Sequence, residues 1–132
     1  MLWVYVRIFK TKLFARFARR ERIADRALCG AVRRAERGLV DADLGGGVIK
    51  QRIAREGQGR SGGYRTLLAF RSKTHAVFIY GFAKSERDNI DDDELTTLQE
   101  IATGWLAADA KGIENTIANK ILQEVQNEQD AK

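Results

Sequence analysis

The sequence predicts an α+β domain in which an N-terminal strand and a helical hairpin pack on a small antiparallel sheet, with further helices at the C-terminus. The first observation is the order of the elements: strand, helix, helix, three or four strands, helix, helix. Consecutive strands favour an antiparallel meander covered by helices over an alternating α/β fold. The second observation is the length of 132 residues, which is typical of one domain with a core of its own.

The first third of the chain predicts a strand and two helices. Residues 3–9 are rich in β-branched and aromatic side chains, and Thr11 then offers a helix N-cap. A second helix covers about 22–37 and has Gly38 as its C-terminal stop. The apolar side of the first helix is Leu13, Phe14 and Phe17, and that of the second is Ile23, Ala27, Leu28, Ala31, Val32 and Ala35.

After Gly38 the period of the apolar residues changes from helical to alternating. Residues 39–44 predict a weak strand, and the three glycines at 45–47 end it. Between positions 48 and 53, successive side chains point to opposite faces of a strand. One face carries Ile49, Gln51 and Ile53, and the other carries Val48, Lys50 and Arg52.

Two further strands are predicted to follow this one along the chain. A glycine-rich turn at 57–63 leads into a strand at 64–70, and residues 71–74 turn the chain into a strand at 75–82. The last strand is apolar on both faces, which is typical of a central strand in a covered sheet. We expect one face of the sheet to pack on helices and the other to be partly open.

The C-terminal part predicts two helices after a polar connector. Asp91 and Glu94 have the spacing of a capping box, and Leu95, Leu98, Ala102 and Trp105 follow on one helix face. Gly112 interrupts the pattern, and a second amphipathic helix is expected to carry Ile113, Ile117, Ile121 and Val125. We therefore divide the chain into a domain at 1–110 and a helical extension of it at 111–132.

The charges are distributed unevenly along the chain. Residues 1–90 hold 20 Lys and Arg against 8 Asp and Glu, a net charge of +12, whereas residues 91–132 hold 3 against 10, a net charge of −7. A cationic body attracts polyanions such as nucleic acid, although a solvated basic surface explains the same charge. Cys29 is the single cysteine and His75 the single histidine, so no metal site or other cofactor is expected.

The strand cations form the candidate functional site. Lys50 and Arg52 share one strand face, and Arg65 begins the strand that we expect beside it. Neighbouring strands lie about 4.8 Å apart, so these cations can surround one phosphate, unless they are ordinary solvent-facing charges of a hairpin. We expect Arg65 to be exposed. The candidate residues for binding RNA around them are Arg60, Tyr64, Tyr80, Lys84 and Arg87, with the tyrosines as stacking partners for bases.

Four segments together resemble the RelE/HigB toxins of type II toxin–antitoxin modules: residues 50–52, 59–65, 75–82 and 84–90. Their Ser-Gly-Gly-Tyr-Arg and Lys-Ser-Glu-Arg portions are the most specific. The resemblance implies a cytoplasmic mRNA endonuclease that works without a metal, often on the ribosome, and is neutralised by a cognate antitoxin. By position, Lys50, Arg52 and Arg65 match catalytic residues of the family, and Arg65 is the best candidate for stabilising the transition state.

The chain departs from the RelE pattern after the last strand. Ser85 stands where RelE has a functional arginine, and the tyrosine a few residues later is replaced around Asp91. The related ParE toxins share the scaffold and act on DNA gyrase, so gyrase inhibition is an alternative, as is a non-catalytic basic module that binds a partner protein. His75 is a candidate general acid or base, but a partly exposed polar residue at a strand start is the more common case.

The remaining expectations concern the cysteine and the partners. Cys29 lies in an apolar helix stripe and is expected to be a small core residue. The C-terminal apolar residues need a cover, which this chain, a second copy in a homodimer or the antitoxin can each provide. No apolar run approaches the length of a membrane span, and the opening charges follow the apolar residues, which is the wrong order for a secretory signal.

Overall fold

The computed structural model describes residues 6–55 and 59–126, the side chains of residues 59–61 excepted, and it has the predicted α+β architecture. Within these residues, the elements in chain order are β1 (Arg7–Thr11), α1 (Lys12–Glu21), α2 (Asp25–Glu36), β2 (Ala42–Gly45), β3 (Val48–Arg55), β4 (Gly59–Arg71), β5 (His75–Ala83), α3 (Asp92–Ala107), α4 (Ala110–Ala118) and β6 (Leu122–Glu124). The strands form one sheet in the order β2-β3-β4-β5-β1-β6.

The start of the fold confirms the predicted helix cap. Thr11 ends β1, and its hydroxyl oxygen accepts a hydrogen bond from the backbone N–H of Phe14 at 3.2 Å. The predicted strand at 3–9 is shifted, because β1 runs from Arg7 to Thr11, and residues 1–5 lie outside the described residues. The prediction that Leu13 joins the apolar side is wrong. Its exposure is 57% because Phe14 and Ala18 define the buried face of α1.

The second helix is confirmed with its apolar stripe in the core, although it begins at Asp25 and not at about residue 22. The buried residues of α2 are Leu28, Cys29, Ala31, Val32 and Ala35. Gly38 has a positive φ of 81° directly after the helix, and its N–H donates to the carbonyl oxygen of Ala35 at 2.9 Å. A left-handed residue that follows a helix in this way satisfies its last carbonyls, which confirms Gly38 as the stop signal.

The sheet is antiparallel from β2 to β5 and parallel at the next step. β3, β4 and β5 form the predicted meander, and β5 lies in the middle of the sheet between β4 and β1. β1 pairs with β5 in parallel, with Phe9 opposite Val77. The predicted antiparallel meander is confirmed, and the N-terminal strand joins it by a parallel pairing, because the chain crosses over through the helical hairpin and the meander before β5 lies beside β1.

Each face of the sheet carries its own core. The helices α1 and α2 cover the first face, which we call the hairpin face, and Phe14, Leu28, Leu68 and Phe78 pack together there. The second face was expected to be partly open, but α3 covers its middle. The buried residues in that second core include Val48, Leu67, Val77, Leu98 and Ala102. The candidate cations lie on this second face, which we call the cation face.

The connection between β3 and β4 is shorter than the predicted glycine-rich turn at 57–63. β4 begins at Gly59, so the glycines at 59, 62 and 63 belong to the strand. At Gly63 a Cβ atom would collide with the backbone of Ile53 and Arg55, where the pairing of the two strands shifts register. Glycine is needed here for close backbone approach at a bulge, which a sequence pattern does not distinguish from a turn.

The C-terminal segment differs from the prediction. The capping box is confirmed, since Asp91 accepts from the N–H of Glu94 and Glu94 accepts from the N–H of Asp91. The helix predicted to reach Val125 is wrong: α4 ends at Ala118, and residues 122–124 pair with β1 as β6. Lys120 has a positive φ of 62° where the chain reverses, and the unpaired edge of β1 accepts the returning strand.

Candidate functional site

The alternation predicted for β3 is confirmed and brings two cations to one face. Ile49, Gln51 and Ile53 are buried on the hairpin face, whereas Lys50 is half-buried and Arg52 is exposed. Arg52 and Arg65 are direct cross-strand partners, so their side chains lie on the same face. The structure therefore brings Lys50, Arg52 and Arg65 together at one end of the cation face.

Arg65 is not the exposed residue that we expected. Only 5% of it is accessible, because it lies one strand further into the sheet than Arg52 and pairs on its other side with Phe82 of β5. Burial lowers the pKa of the guanidinium, and the positive charge of Arg52 lowers it further, while Asp41 and Asp88 act in the opposite direction. The guanidinium is thus a desolvated cation beside a second cation, an arrangement that an added anion stabilises.

The backbone of Arg52 is held by side chains from outside the sheet. Among the described residues, β2 pairs with β3 only as far as Lys50, so Arg52 lies on an edge. Its N–H donates to the carboxylate of Asp41, and its carbonyl accepts from the guanidinium of Arg34. These two bonds take the place of a neighbouring strand and fix the direction of the Arg52 side chain.

Gln51 supports this edge from the opposite face. Its side chain is fully buried, and its Nε2 donates to the carbonyl oxygens of Ala31 at 2.9 Å and Leu39 at 3.1 Å. Its Oε1 accepts from the N–H of Asp41 at 2.9 Å. Gln51 therefore positions Asp41, which in turn bonds to Arg52. This role was not predicted from the sequence, although a glutamine between two isoleucines on an otherwise apolar face was a visible signal.

Arg87 is already engaged by a carboxylate. Its guanidinium donates two hydrogen bonds to Glu94, at 3.0 and 2.6 Å, and a longer one of 3.3 Å to the hydroxyl of Tyr80. The guanidinium also lies 5.5 Å from the ring centre of Phe82. The bonds from Arg87, with the N–H of Asp91 next, lower the pKa of Glu94 from 4.5 to about 2. Arg87 thus ties the connector after β5 to the start of α3.

The other candidate RNA-binding residues are divided between the two faces. Tyr80 is half-buried on the cation face, in the cross-strand row of Leu67 and Lys50. Tyr64 lies on the hairpin face, where it is 4% exposed, packs edge-on against Phe17 and donates to the carbonyl oxygen of Glu21. Tyr64 therefore does not share a surface with Lys50 and Arg52, because consecutive residues of β4 point to opposite faces.

Lys84 and Arg60 complete the predicted set. Lys84 is exposed, its Nζ lies 3.4 Å from a carboxylate oxygen of Asp88, and its backbone N–H donates to the carbonyl oxygen of Gly63. This backbone bond holds the connector beside β4, next to Arg65. Arg60 has its backbone in β4, but its side chain lies outside the described residues.

His75 lies at the far end of the sheet from the candidate site. It pairs with Arg71 on β4, six residues from Arg65, which corresponds to about 20 Å along an extended strand. Its Nε2 lies 2.8 Å from the carbonyl oxygen of Trp105, and since a carbonyl only accepts, the imidazole donates this bond. His75 therefore joins the start of β5 to α3 and does not reach the phosphate site predicted at Arg65.

Cys29 is the small core residue that was predicted. Its exposure is 1%, and its sulfur lies 3.4 Å from the carbonyl oxygen of Gln126. Over residues 6–55 and 59–126, no group of three or more His, Cys, Asp or Glu side chains is arranged to hold a metal ion. In the same part of the chain, no helix has the length and hydropathy of a membrane span.

Comparison with known protein families gives one finding for this chain. The family model described as the RelE toxin of the RelE / RelB toxin-antitoxin system matches residues 6–125. The match begins just before β1 and ends just after β6, so it includes every element of the described sheet. No curated protein matches the sequence.

Proposed function

The chain belongs to the family of RelE toxins of toxin–antitoxin systems. We propose that it is an mRNA endoribonuclease that inhibits translation in the cytoplasm by cleaving mRNA on the ribosome. Membership of the family also implies a cognate antitoxin as its protein partner. The observation that carries the proposed activity is the direct pairing of Arg52 with the nearly buried Arg65, with Lys50 on the same face.

The proposed reaction is attack of the 2′-hydroxyl of the RNA on the adjacent phosphorus. The 2′-hydroxyl gives up its proton to water as its oxygen bonds to phosphorus, and the displaced 5′-oxygen takes up a proton from water. The products are a 2′,3′-cyclic phosphate and a 5′-hydroxyl. The phosphorane that forms between substrate and products carries more negative charge than the substrate. Fixed guanidinium groups in a partly desolvated site stabilise such charge without reorganisation, and this is usually the largest electrostatic contribution to catalysis.

Each cation has a distinct role in the proposal. Arg65 stabilises the equatorial oxygens of the phosphorane, because its burial makes it the most rigid cation of the three. Arg52 and Lys50 bind the scissile phosphate from the exposed side. Tyr80 contacts a base on the same face, and Lys84 contacts a flanking phosphate. Arg87 acts through Tyr80 and Phe82 by holding the connector against the sheet.

The activity is tested by induced expression followed by primer-extension mapping of transcripts, and by incubating purified protein with mRNA on ribosomes. We expect new 5′ ends within coding regions. Arg65→Lys keeps the charge and most of the aliphatic stem but loses the planar fork, and we expect about a 100-fold or greater loss of cleavage rate. Arg52→Ala should cause a similar loss. Arg37→Ala, at the exposed end of α2, is the matched control that should leave cleavage unchanged.

The stability of each variant must be measured beside its activity, since Arg65 is almost buried. Thermal unfolding of Arg65→Lys within a few degrees of the wild type, with lost cleavage, separates a catalytic role from a structural one. Growth arrest with intact mRNA would refute the nuclease, and inhibition of gyrase supercoiling by the same preparation would establish the ParE-like alternative. That alternative is favoured by the connector, where Ser85 is exposed and the guanidinium of Arg87 already binds Glu94.

A further inference from the structure

A second basic site lies on the hairpin face, behind the candidate catalytic cations. It is a cleft of about 670 Å³ between the turn that joins α1 to α2 and the ends of β3 and β4. Three arginines form its rim: Arg20, Arg22 and Arg55. Its floor consists of Ile23, Ile53 and the buried Tyr64, the apolar part of a lining that is otherwise mostly polar. The volume lies within the range of pockets that bind small molecules or single nucleotides.

The charge of the cleft is strongly positive. The lining contains three guanidiniums and one carboxylate, that of Glu21, which pairs with Arg20 at 3.3 Å. The side chain of Arg20 is 66% exposed, so this surface pair contributes little to stability and leaves most of the guanidinium open to a ligand. The excess of two positive charges over an apolar floor suits a ligand that has both an anionic and an apolar part.

Two of the rim arginines lie against aromatic rings. The guanidinium carbon of Arg20 is 5.6 Å from the ring centre of Phe17, and that of Arg55 is 5.9 Å from the ring centre of Tyr64. Phe17 and Tyr64 are themselves packed edge-on at 5.8 Å. The two rings are therefore a rigid support for guanidinium planes, and RNA bases stack on such planes while phosphates bind their edges.

The backbone around the cleft is also held in place. Arg22 has a positive φ of 58° in the turn, and the N–H of Ile23 donates to the carbonyl oxygen of Ala18 at 2.8 Å. The hydroxyl of Tyr64 donates to the carbonyl oxygen of Glu21. The end of α1, which carries Arg20, and the turn that follows it with Arg22 are thus bonded to β4. A preformed rim of this kind loses little conformational freedom when a ligand binds.

The cleft is close to the candidate catalytic cations through the sheet. Ile53 pairs with Tyr64 in the row next to the Arg52–Arg65 pair, so the cleft and the catalytic cations lie back to back on the same two strands. Among the described residues, β2 does not extend along this part of β3, and the side chains of Asp41 and Arg34 lie along the strand edge between the two faces. One polyanionic chain that passes over this end of the sheet can contact both sets of cations.

We propose that this cleft binds a nucleotide of single-stranded RNA that flanks the scissile phosphate, with its phosphate on the arginine rim and its base against the apolar floor. The identity of the RNA as a substrate depends on the proposed function above, but binding in the cleft does not. An acidic peptide would satisfy the charges, but its acidic side chains carry no aromatic ring to stack on the guanidiniums of Arg20 and Arg55.

The test is the salt dependence of RNA binding, measured by fluorescence anisotropy with a labelled 2′-O-methyl octanucleotide. This probe lacks a free 2′-hydroxyl and is not cleaved, so the readout stays valid whether or not the protein is a nuclease. Each phosphate contact to single-stranded RNA contributes about 0.7 to the slope of log K against log salt. The double variant Arg20→Ala/Arg55→Ala should therefore lower the slope by about 1.4 and weaken binding at least tenfold at low salt.

The matched control removes two exposed arginines that lie outside the cleft, in Arg16→Ala/Arg71→Ala. We expect its slope to stay close to that of the wild type. Equal slopes for both double variants would overturn the proposal, because the lower salt dependence would then follow from the reduced net charge of the protein and not from contacts in the cleft. Arg20→Lys/Arg55→Lys should keep the slope but lose affinity, since ammonium groups bind phosphates without offering a plane to a base.

Two further outcomes separate the RNA from other ligands and from the catalytic site. An oligoglutamate peptide that displaces the octanucleotide at equal concentration would refute an RNA site in favour of an acidic protein partner. A labelled dinucleotide is long enough to occupy the cleft without reaching the catalytic cations, so it should bind wild type more tightly than the Arg20→Ala/Arg55→Ala variant; equal binding to both would contradict a nucleotide site in the cleft. Melting temperatures of all variants establish that each is folded.

Discussion

The buried amide of Gln51 provides a quantitative test of how the candidate site is supported. The substitution Gln51→Leu keeps the volume of the side chain close to that of the wild type, so a cavity contributes little to the result. It removes three hydrogen bonds, which involve the carbonyl oxygens of Ala31 and Leu39 and the N–H of Asp41. These bonds join α2, the segment after it and β3 on the hairpin face.

The expected loss follows from the number of bonds. A hydrogen bond between neutral groups contributes about 1 kcal/mol net, and a buried group left without a partner costs about 1–3 kcal/mol. Three bonds therefore give a loss of about 3 kcal/mol in the free energy of unfolding. The apolar gain from the leucine offsets part of the cost, and the desolvated carbonyl of Ala31 adds to it. Because Asp41 loses its support, we also expect weaker binding of RNA at Arg52.

The assay is urea unfolding followed by circular dichroism, with the slope of free energy against urea compared between variants. The matched control is Gln123→Leu, the same substitution at an exposed position of β6, which should change stability by less than about 0.5 kcal/mol. A loss below about 1 kcal/mol for Gln51→Leu, with an unchanged slope, would refute this account of the buried amide.

Two other predictions concern a close backbone contact and a perturbed carboxylate. Gly63→Ala places a Cβ against the backbone of Ile53, and we expect it to destabilise the fold by about 3 kcal/mol in urea unfolding. The control is Gly104→Ala, where the new Cβ meets nothing within 4 Å, and it should stabilise α3 by about 0.5–1 kcal/mol. A similar change in stability for both variants would contradict the predicted backbone clash at Gly63. The pKa of Glu94 falls from 4.5 to about 2 on folding, so its bonds stabilise the protein above pH 4.5, and this contribution is lost as the pH falls through about 2. The difference in melting temperature between wild type and Glu94→Gln should therefore be largest near neutral pH and should decrease to nearly zero as the pH approaches 2. A difference that does not change with pH would show that the pKa of Glu94 is not lowered by folding.

Tyr64 and Arg65 are the residues whose positions in the site were predicted wrongly from the sequence. Both residues were assigned to one surface, although neighbours on a strand point to opposite faces. Arg65 faces the candidate cations and Tyr64 faces the helical hairpin. The alternation that correctly separated Gln51 from Arg52 was available for β4 as well. The glycines before Tyr64 concealed it, because they were interpreted as a turn.

The role of Arg87 could not have been derived from its position in the sequence. A connector arginine after a strand is compatible with phosphate binding, and Glu94 was correctly predicted as part of a capping box. The two side chains meet because the connector folds back over the first turn of α3, which brings Arg87 and Glu94 within 2.6 Å. A carboxylate that is already oriented by a helix N-terminus is a strong acceptor for a nearby guanidinium.

Features that depend on local periodicity and local hydrogen bonds could be predicted from the residues alone. These include the cap at Thr11, the stop at Gly38, the capping box at Asp91 and the presence of Lys50 and Arg52 on one strand face. The parallel pairing of β1 with β5, the return of the chain as β6 and the burial of Arg65 are visible only in the folded chain. Period and propensity act over a few residues, whereas strand partners, register and burial are set by contacts between segments far apart in the chain.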